Sequence, residues 1–129
     1  MADQRNRRIA AENKGRRSEA FAAFWLRLKG YRVLAARVRL PVGEIDLIAR
    51  RGGVIAFVEV KARSTLLAGE TAVSAASWKR INRAAESWMA RHPALAKLDW
   101  RFDLIVMVPR RLPVHLADRW RPDFAQSRF

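Results

Sequence analysis

The sequence has no cysteine and only two histidines, His92 and His115. A disulfide framework and a thiolate zinc site are therefore excluded, and any bound metal must be held mainly by oxygen. No stretch approaches the roughly 18 uninterrupted apolar residues of a membrane span, and the arginine-rich start lacks the apolar segment of a secretory signal. A cytoplasmic protein with no membrane partner is expected. Neither an internal repeat nor a linker-like composition divides the chain. Acidic residues are scarce as well, with 12 Asp and Glu against 26 Lys and Arg, a net charge of +14.

What is present suffices for one core. Half of the 129 residues are apolar, with five Trp, six Phe and one Tyr among them, and that length fits a single domain. Residues 1–14 read as a basic N-terminal arm and 15–129 as the domain. The charge is unevenly spread: residues 1–39 hold eleven basic and three acidic side chains, 40–77 hold four of each, and 78–129 hold eleven against five. Basic flanks around a charge-balanced middle suit a polyanion such as nucleic acid, because a field of that sign concentrates polyanions locally.

Periodicity supplies the elements. Ser18 to Lys29 has helical spacing, with Phe21, Phe24, Trp25 and Leu28 on one stripe and Glu19, Ala22, Ala23 and Leu26 on another, so a helix enclosed on two faces is expected, stopped by Gly30. Tyr31 to Leu40, Glu44 to Arg50 and Val54 to Arg63 read as three strands, the last two joined by a tight turn at Arg51-Gly52-Gly53. Residues 64–74 read as a loop. Ala75 to Arg91 reads as a helix with Trp78, Ile81, Ala85 and Trp88 on its core face. Trp100 to Val108 follows as a strand buried on both faces, with a short final strand at Val114 to Leu116.

Strand alternation places Glu44, Asp46 and Ile48 on one face, and Ile55, Phe57, Glu59 and Lys61 on one face of the following strand. A carboxylate flanked by core costs several kcal/mol unless it is paired, hydrogen-bonded or bound to metal. Two carboxylates from adjacent strands are hard oxygen donors suited to Mg²⁺ or Mn²⁺, with a backbone carbonyl near Val60 as a further ligand. The Lys61 ammonium suits orientation of an attacking water or stabilisation of a developing anion on a phosphodiester. The plain structural alternative is a buried ion-pair network. Glu44, beside Asp46 on its face but near the strand start, reads as a solvated charge or a group supporting the site and stays a secondary candidate, and neither histidine reads as catalytic.

The run G-E-I-D-L-I at Gly43 to Ile48, followed by F-V-E-V-K-x-R at Phe57 to Arg63, resembles the YraN-like proteins. These are similar to archaeal Holliday junction resolvases and to the PD-(D/E)xK restriction-endonuclease-like fold. Gly15 and Glu19 ahead of Gly30-Tyr31, Lys79 with Arg80-Ile81, and Arg101-Phe102-Asp103 extend the resemblance over about residues 15–124. It implies an α/β fold with an α-β-β-β-α-β core and a mixed sheet flanked by helices. It implies Asp46 and Glu59 as metal ligands, Lys61 as the catalytic lysine and Glu19 as a supporting acid. A Mg²⁺-dependent endonuclease acting on DNA ahead of RNA, including branched DNA, is the function it implies. Arg16, Arg17, Arg63, Lys79, Arg80 and Arg83 are then the expected nucleic-acid contacts, and the paired sites of the resolvases favour a homodimer. The competing expectations are a noncatalytic nucleic-acid-binding module of a repair, recombination or uptake complex, and a structural adaptor for a protein partner.

Overall fold

The structure, a computed structural model, describes residues 2–122, including all of their side chains except those of 2 and 11–14. The polar, aromatic-bearing end of the sequence from 123 onward lies outside the described residues. Helix α1 (Ala2–Leu28) runs through the segment read as a basic arm. Gly30 terminates it at φ +90°, and the N–H groups of Gly30 and Tyr31 donate back to the carbonyls of Arg27 and Leu26. That left-handed cap suits glycine because a Cβ would clash there.

Five strands follow in the order β1 (Arg32–Leu40), β2 (Gly43–Arg51), β3 (Val54–Ala62), β4 (Asp99–Met107) and β5 (Val114–Trp120), and they lie side by side in that order. All neighbours are antiparallel except β3 and β4, which are parallel. A parallel pair needs a crossover, and helices α2 (Leu66–Glu70) and α3 (Ala75–Ala90) provide it. The result is the helix, three strands, helix, strand order expected, in a mixed sheet with helices on both faces. No described helix is long and apolar enough to cross a membrane.

Each face of the sheet has its own core. On one, Trp78, Ile81, Ala85 and Trp88 of α3 cover Ile45, Ile48, Ile55, Phe57, Phe102 and Leu104. On the other, Ala22, Ala23 and Leu26 of α1 cover Leu47, Ala49, Ala56, Val58 and Ile105. The α3 stripe therefore packs as its spacing predicts, but α1 does not pack on two faces. Its small-residue stripe is buried, whereas Phe21, Phe24 and Leu28 are 49%, 55% and 63% exposed. Large apolar side chains dominate a sequence pattern, yet the closely packed side is the one whose alanines let the helix approach the sheet. Two further differences are local. The loop read at 64–74 contains α2, whose Gly69 faces Val106 so closely that a Cβ would come within 2.2 Å of its methyl group. Strand β5 extends to Trp120 rather than stopping at Leu116.

One buried polar cluster fastens β4 to β5. Asp103 is fully buried where the β4–β5 ladder changes register. It accepts from Arg101 Nε and Nη2 at 2.8 and 2.7 Å, from His115 Nε2 at 2.7 Å and from the Asp118 N–H at 3.0 Å. With Nε2 donating, His115 Nδ1 accepts from Lys29 Nζ at 2.6 Å, and Arg101 also donates to the Tyr31 hydroxyl. The ion pair of Arg101 and Asp103 is thus the centre of a link from the sheet edge to the end of α1. Asp118 adopts φ +56° to aim its N–H at that carboxylate.

Burial by itself raises the Asp103 carboxyl, but the donors from His115, Arg101 and Asp118 overcome it and hold the group down at about 2, below its ordinary 3.8. A depressed carboxylate stabilises the fold above its unfolded pKa and loses that contribution as pH falls through the folded value. Acid unfolding followed by circular dichroism should therefore show a steep stability loss between about pH 4 and pH 2 that is flattened in Asp103→Asn. Leu26→Ala should cost about 2–5 kcal/mol in urea unfolding, whereas Phe24→Ala should stay within about 0.5 kcal/mol. Equal costs for the two substitutions would contradict the assignment of the buried stripe.

Candidate metal centre

Pairing of β2 with β3 runs from Arg51↔Val54 to Leu47↔Val58 and stops there. The next pair in register would be Asp46 opposite Glu59, and at that point the strands part. Instead of a ladder bond, the Val60 N–H donates to Asp46 Oδ2 at 2.8 Å. Asp46 is thus held in a fork between two strands by a backbone donor.

The backbone on the other side of Asp46 is also distorted. Arg37, which faces it across the β1–β2 ladder between the pairs Ala36↔Leu47 and Val38↔Ile45, has φ +54°. A non-glycine residue in that region stores on the order of 1–3 kcal/mol of strain, and such residues gather at functional sites. The regular alternation expected of β2 breaks here. Ile45 packs with Ile48 in the core under α3, while Leu47, only two residues from Ile45, belongs to the core under α1. Asp46 sits where the two faces exchange.

Glu59 and Lys61 lie on the α3 side of β3, as alternation from Ile55 and Phe57 predicts, and Lys61 Nζ stands 3.6 Å from Glu59 Oε2. Glu19 arrives from α1 on the opposite side, one turn before Ala22 and Ala23. Asp46 lies beside both Glu19 and Glu59, near enough to raise each of them, so the carboxylates form a chain across the fork, with Asp46 as its middle link. Among the described residues, no three His, Asp or Glu side chains converge on one point.

The chain is short of positive charge. Burial raises the Glu59 carboxyl, the hydrogen bond and charge of Asp46 raise it further, and Lys61 offsets only part, leaving it pushed up to about 9. Glu19 is raised by burial and by Asp46 against the lowering effect of Arg37 and Arg39. Its Oε1 is buried without a hydrogen-bond partner, because Arg37 Nη1, at 3.6 Å, is near enough for an ion pair but too far to donate. An orphaned carboxylate oxygen, a second carboxyl held protonated and hard oxygen donors throughout fit a small divalent cation. Asp46 and Glu59 would hold it. In an extended strand the N–H and C=O of one residue point to the same side, so the Val60 carbonyl opens toward the same fork as its N–H.

The fork opens through two recesses. One, of about 70 Å³, is bordered by Glu19, Asp46, Arg37 and Arg39. The other, of about 250 Å³ on the α3 side, is bordered by Gly43, Glu44, Glu59, Ser77 and Arg80. Gly43 is required at this rim, since a Cβ there would come 2.6 Å from the Arg80 carbonyl oxygen. Of the expected nucleic-acid contacts, Lys79, Arg80 and Arg83 are exposed on α3, Arg16 and Arg17 on α1, and Arg63 just after β3. Only Arg80 borders the recess that holds Glu59, and it also donates to Ser77 Oγ. Arg37, Arg39 and Ser77 were not singled out by sequence reasoning. The two arginines look like the wet face of β1, and their place beside Glu19 and Asp46 depends on the left-handed backbone at Arg37.

Fold and site together define a mixed α/β protein with a carboxylate and lysine cluster at a strand fork. The chain belongs to the family described as Uncharacterised protein family UPF0102, whose pattern it matches over residues 18–107. It is 54% identical over 117 residues to a UPF0102 protein of Chelativorans sp. (strain BNC1), covering 91% of this chain and 94% of that one. A UPF0102 protein of Parvibaculum lavamentivorans is 51% identical over 114 residues, covering 88% and 86%. A third relative, UPF0102 protein BQ09720 of Bartonella quintana, is 48% identical over 113 residues, covering 88% and 93%.

A carboxyl whose folded pKa exceeds its ordinary 4.5 weakens the fold as pH rises from that value toward about 9. Removing the ionisable group at constant shape should therefore help at alkaline pH. Glu59→Gln is expected to be more stable than the wild type at pH 8 in urea unfolding, with the advantage vanishing below pH 4. A less stable Glu59→Gln at pH 8 would contradict the assigned charge deficit.

Proposed function

We propose that this protein is a Mg²⁺- or Mn²⁺-dependent endonuclease of the cytoplasm that hydrolyses phosphodiester bonds in DNA, including branched or structured DNA. The observation that carries this reading is Asp46 held in the fork between β2 and β3 beside Glu59 and Lys61, with charge to spare for a divalent cation. Asp46, Glu59 and the Val60 carbonyl are the ligands in this reading. The ion would supply neutralisation of the phosphodiester's developing charge and acidification of a water. Lys61, tethered at 3.6 Å from Glu59, orients the attacking water or takes up the anion that forms. Glu19, behind Asp46, holds that carboxylate in place and completes the negative wall. Arg80 and Lys79 on the α3 side and Arg63, Arg16 and Arg17 on the other would grip phosphates flanking the fork, whose contribution falls steeply with salt. A homodimer would give the two incisions a branched substrate requires.

A second reading, a noncatalytic nucleic-acid-binding module of a repair, recombination or uptake complex, is favoured by one observation: the three carboxylates are strung in a chain and do not already surround a point. Calorimetric titration of Mn²⁺ into the wild type and Asp46→Ala, followed by cleavage assays on plasmid and junction DNA with the same preparations, separates the two. The nuclease reading expects one Mn²⁺ site lost in Asp46→Ala, and cleavage reduced by at least a hundredfold in folded Asp46→Ala, Glu59→Ala and Lys61→Ala. Cleavage that persists in those variants, or DNA binding without turnover in any metal, overturns it.

A further inference from the structure

A further cavity lies beyond the two recesses of the fork, and an exposed apolar ridge leads away from it. The cavity holds about 450 Å³ and is lined by Ala62, Met107 and Pro109, with Ser18, Arg63 and Ser64 at its edge. That volume is in the range of small-molecule sites, and the mix of apolar walls with a few polar edges suits a flat heteroaromatic ring. Ala62 is three residues past Glu59, roughly 10 Å along the strand at about 3.3 Å per residue, which is within one or two nucleotides of the fork. Ser18 adjoins Glu19 in α1. From Ser18 the helix carries Phe21 and Phe24 at successive three-residue steps and Leu28 four residues later, neighbours along one ridge. All three are about half exposed or more, and the two phenyl rings meet edge to face at 6.5 Å between centroids.

We infer that this cavity and the Phe21–Phe24 ridge form one track for an unpaired strand of DNA, the cavity taking the first unpaired base and the ridge stacking those that follow. The inference rests on the endonuclease reading and specifies its substrate as duplex DNA carrying a single-stranded branch. Charge chooses the occupant. Helix α1 carries seven Lys and Arg against three Asp and Glu, so the ridge is an apolar strip on a basic rod. A nucleic-acid single strand offers both matching features, exposed ring faces and a polyanionic backbone. A second copy of the chain offers the apolar face but brings a further +14 of like charge.

The test uses the full chain in EDTA, so that binding is read without turnover. Fluorescence anisotropy compares a blunt duplex with the same duplex bearing a ten-nucleotide single-stranded flap, for the wild type and the double variant Phe21→Ala/Phe24→Ala. The wild type should bind the flapped duplex roughly tenfold tighter or more, the size of effect expected from one or two base–aromatic stacks. The double variant should lose that preference while keeping its affinity for the blunt duplex, its melting profile and its Mn²⁺ titration. 2-Aminopurine at the first unpaired position should change its fluorescence on binding, and that change should survive in the double variant. Equal affinity of the wild type for both duplexes overturns the inference, as does a preference untouched in the variant or an unresponsive 2-aminopurine. A dimer in sedimentation that the double variant splits, or binding to phosphatidylglycerol vesicles that it abolishes, would assign the ridge elsewhere and overturn it too. Cleavage by the wild type without flap preference would leave the endonuclease reading standing alone. Flap preference without cleavage in any metal would leave the track standing and remove the nuclease.

Discussion

A carboxylate set into a gap in a strand ladder is the device on which the protein's polar architecture depends, and the chain uses it twice. Asp46 takes the N–H of Val60 where β2 and β3 part, and Asp103 takes the N–H of Asp118 where β4 and β5 change register. In each case the side chain satisfies a backbone group that regular pairing would have satisfied. The two differ in what else surrounds them. Asp103 has a bidentate guanidinium and an imidazole N–H, so its charge is fully answered and it acts as a fastening. Asp46 has two further carboxylates, Glu19 and Glu59, and its charge is left over. Clustered acids do not stabilise a fold by themselves, and it is this uncompensated cluster on which the proposed cation site rests.

This local deficit stands inside a molecule with a large global surplus. A net charge of +14 attracts a polyanion over the whole surface, but it does so without selecting a bond to break. The acidic fork brings Glu19, Asp46 and Glu59 together, and exposed cations on α3 and α1 stand to either side of it. A phosphodiester drawn in by the basic surface would be repelled by bare carboxylates. A cation held between them, as proposed above, would reverse that sign locally. Lys61 and Arg37, each 3.6 Å from its carboxylate, moderate that negative charge and offset only part of what raises Glu59 and Glu19.

Much of this was legible in the sequence because strand and helix periods act locally. The apolar run of β4, the glycine turn at Gly52-Gly53 and the Trp78–Trp88 face of α3 are each set by neighbours within a few residues, and each lies where its pattern places it. Glu59 and Lys61 share a face for the same reason. What the pattern missed was set by contacts distant in sequence. The flip of faces around Asp46 lies opposite the left-handed backbone of Arg37 across the ladder, and period two cannot reveal it. The recruitment of His115, which looks inert in its tail, depends on Asp103 from another strand and Lys29 from the end of α1. The short helix α2 is fixed by Gly69 lying against Val106, a fit invisible in a polar, glycine-bearing stretch.

Helix α1 shows how sequence weight and structural weight can be opposed. Its bulkiest side chains suggest a core face, but bulk would hold the helix away from the sheet. Ala22 and Ala23 bring it close, and close approach is what lets Glu19, one turn earlier on the same stripe, reach Asp46. A helix displaced outward by phenylalanines would carry that carboxylate out of the fork. The small stripe therefore does two things at once, burying the helix and aiming an acid, and it leaves the aromatic stripe with no packing role. Four large apolar residues thus stand on the outer side of a basic helix beside the fork, three of them about half exposed or more, and they are the surface on which the proposed strand track rests.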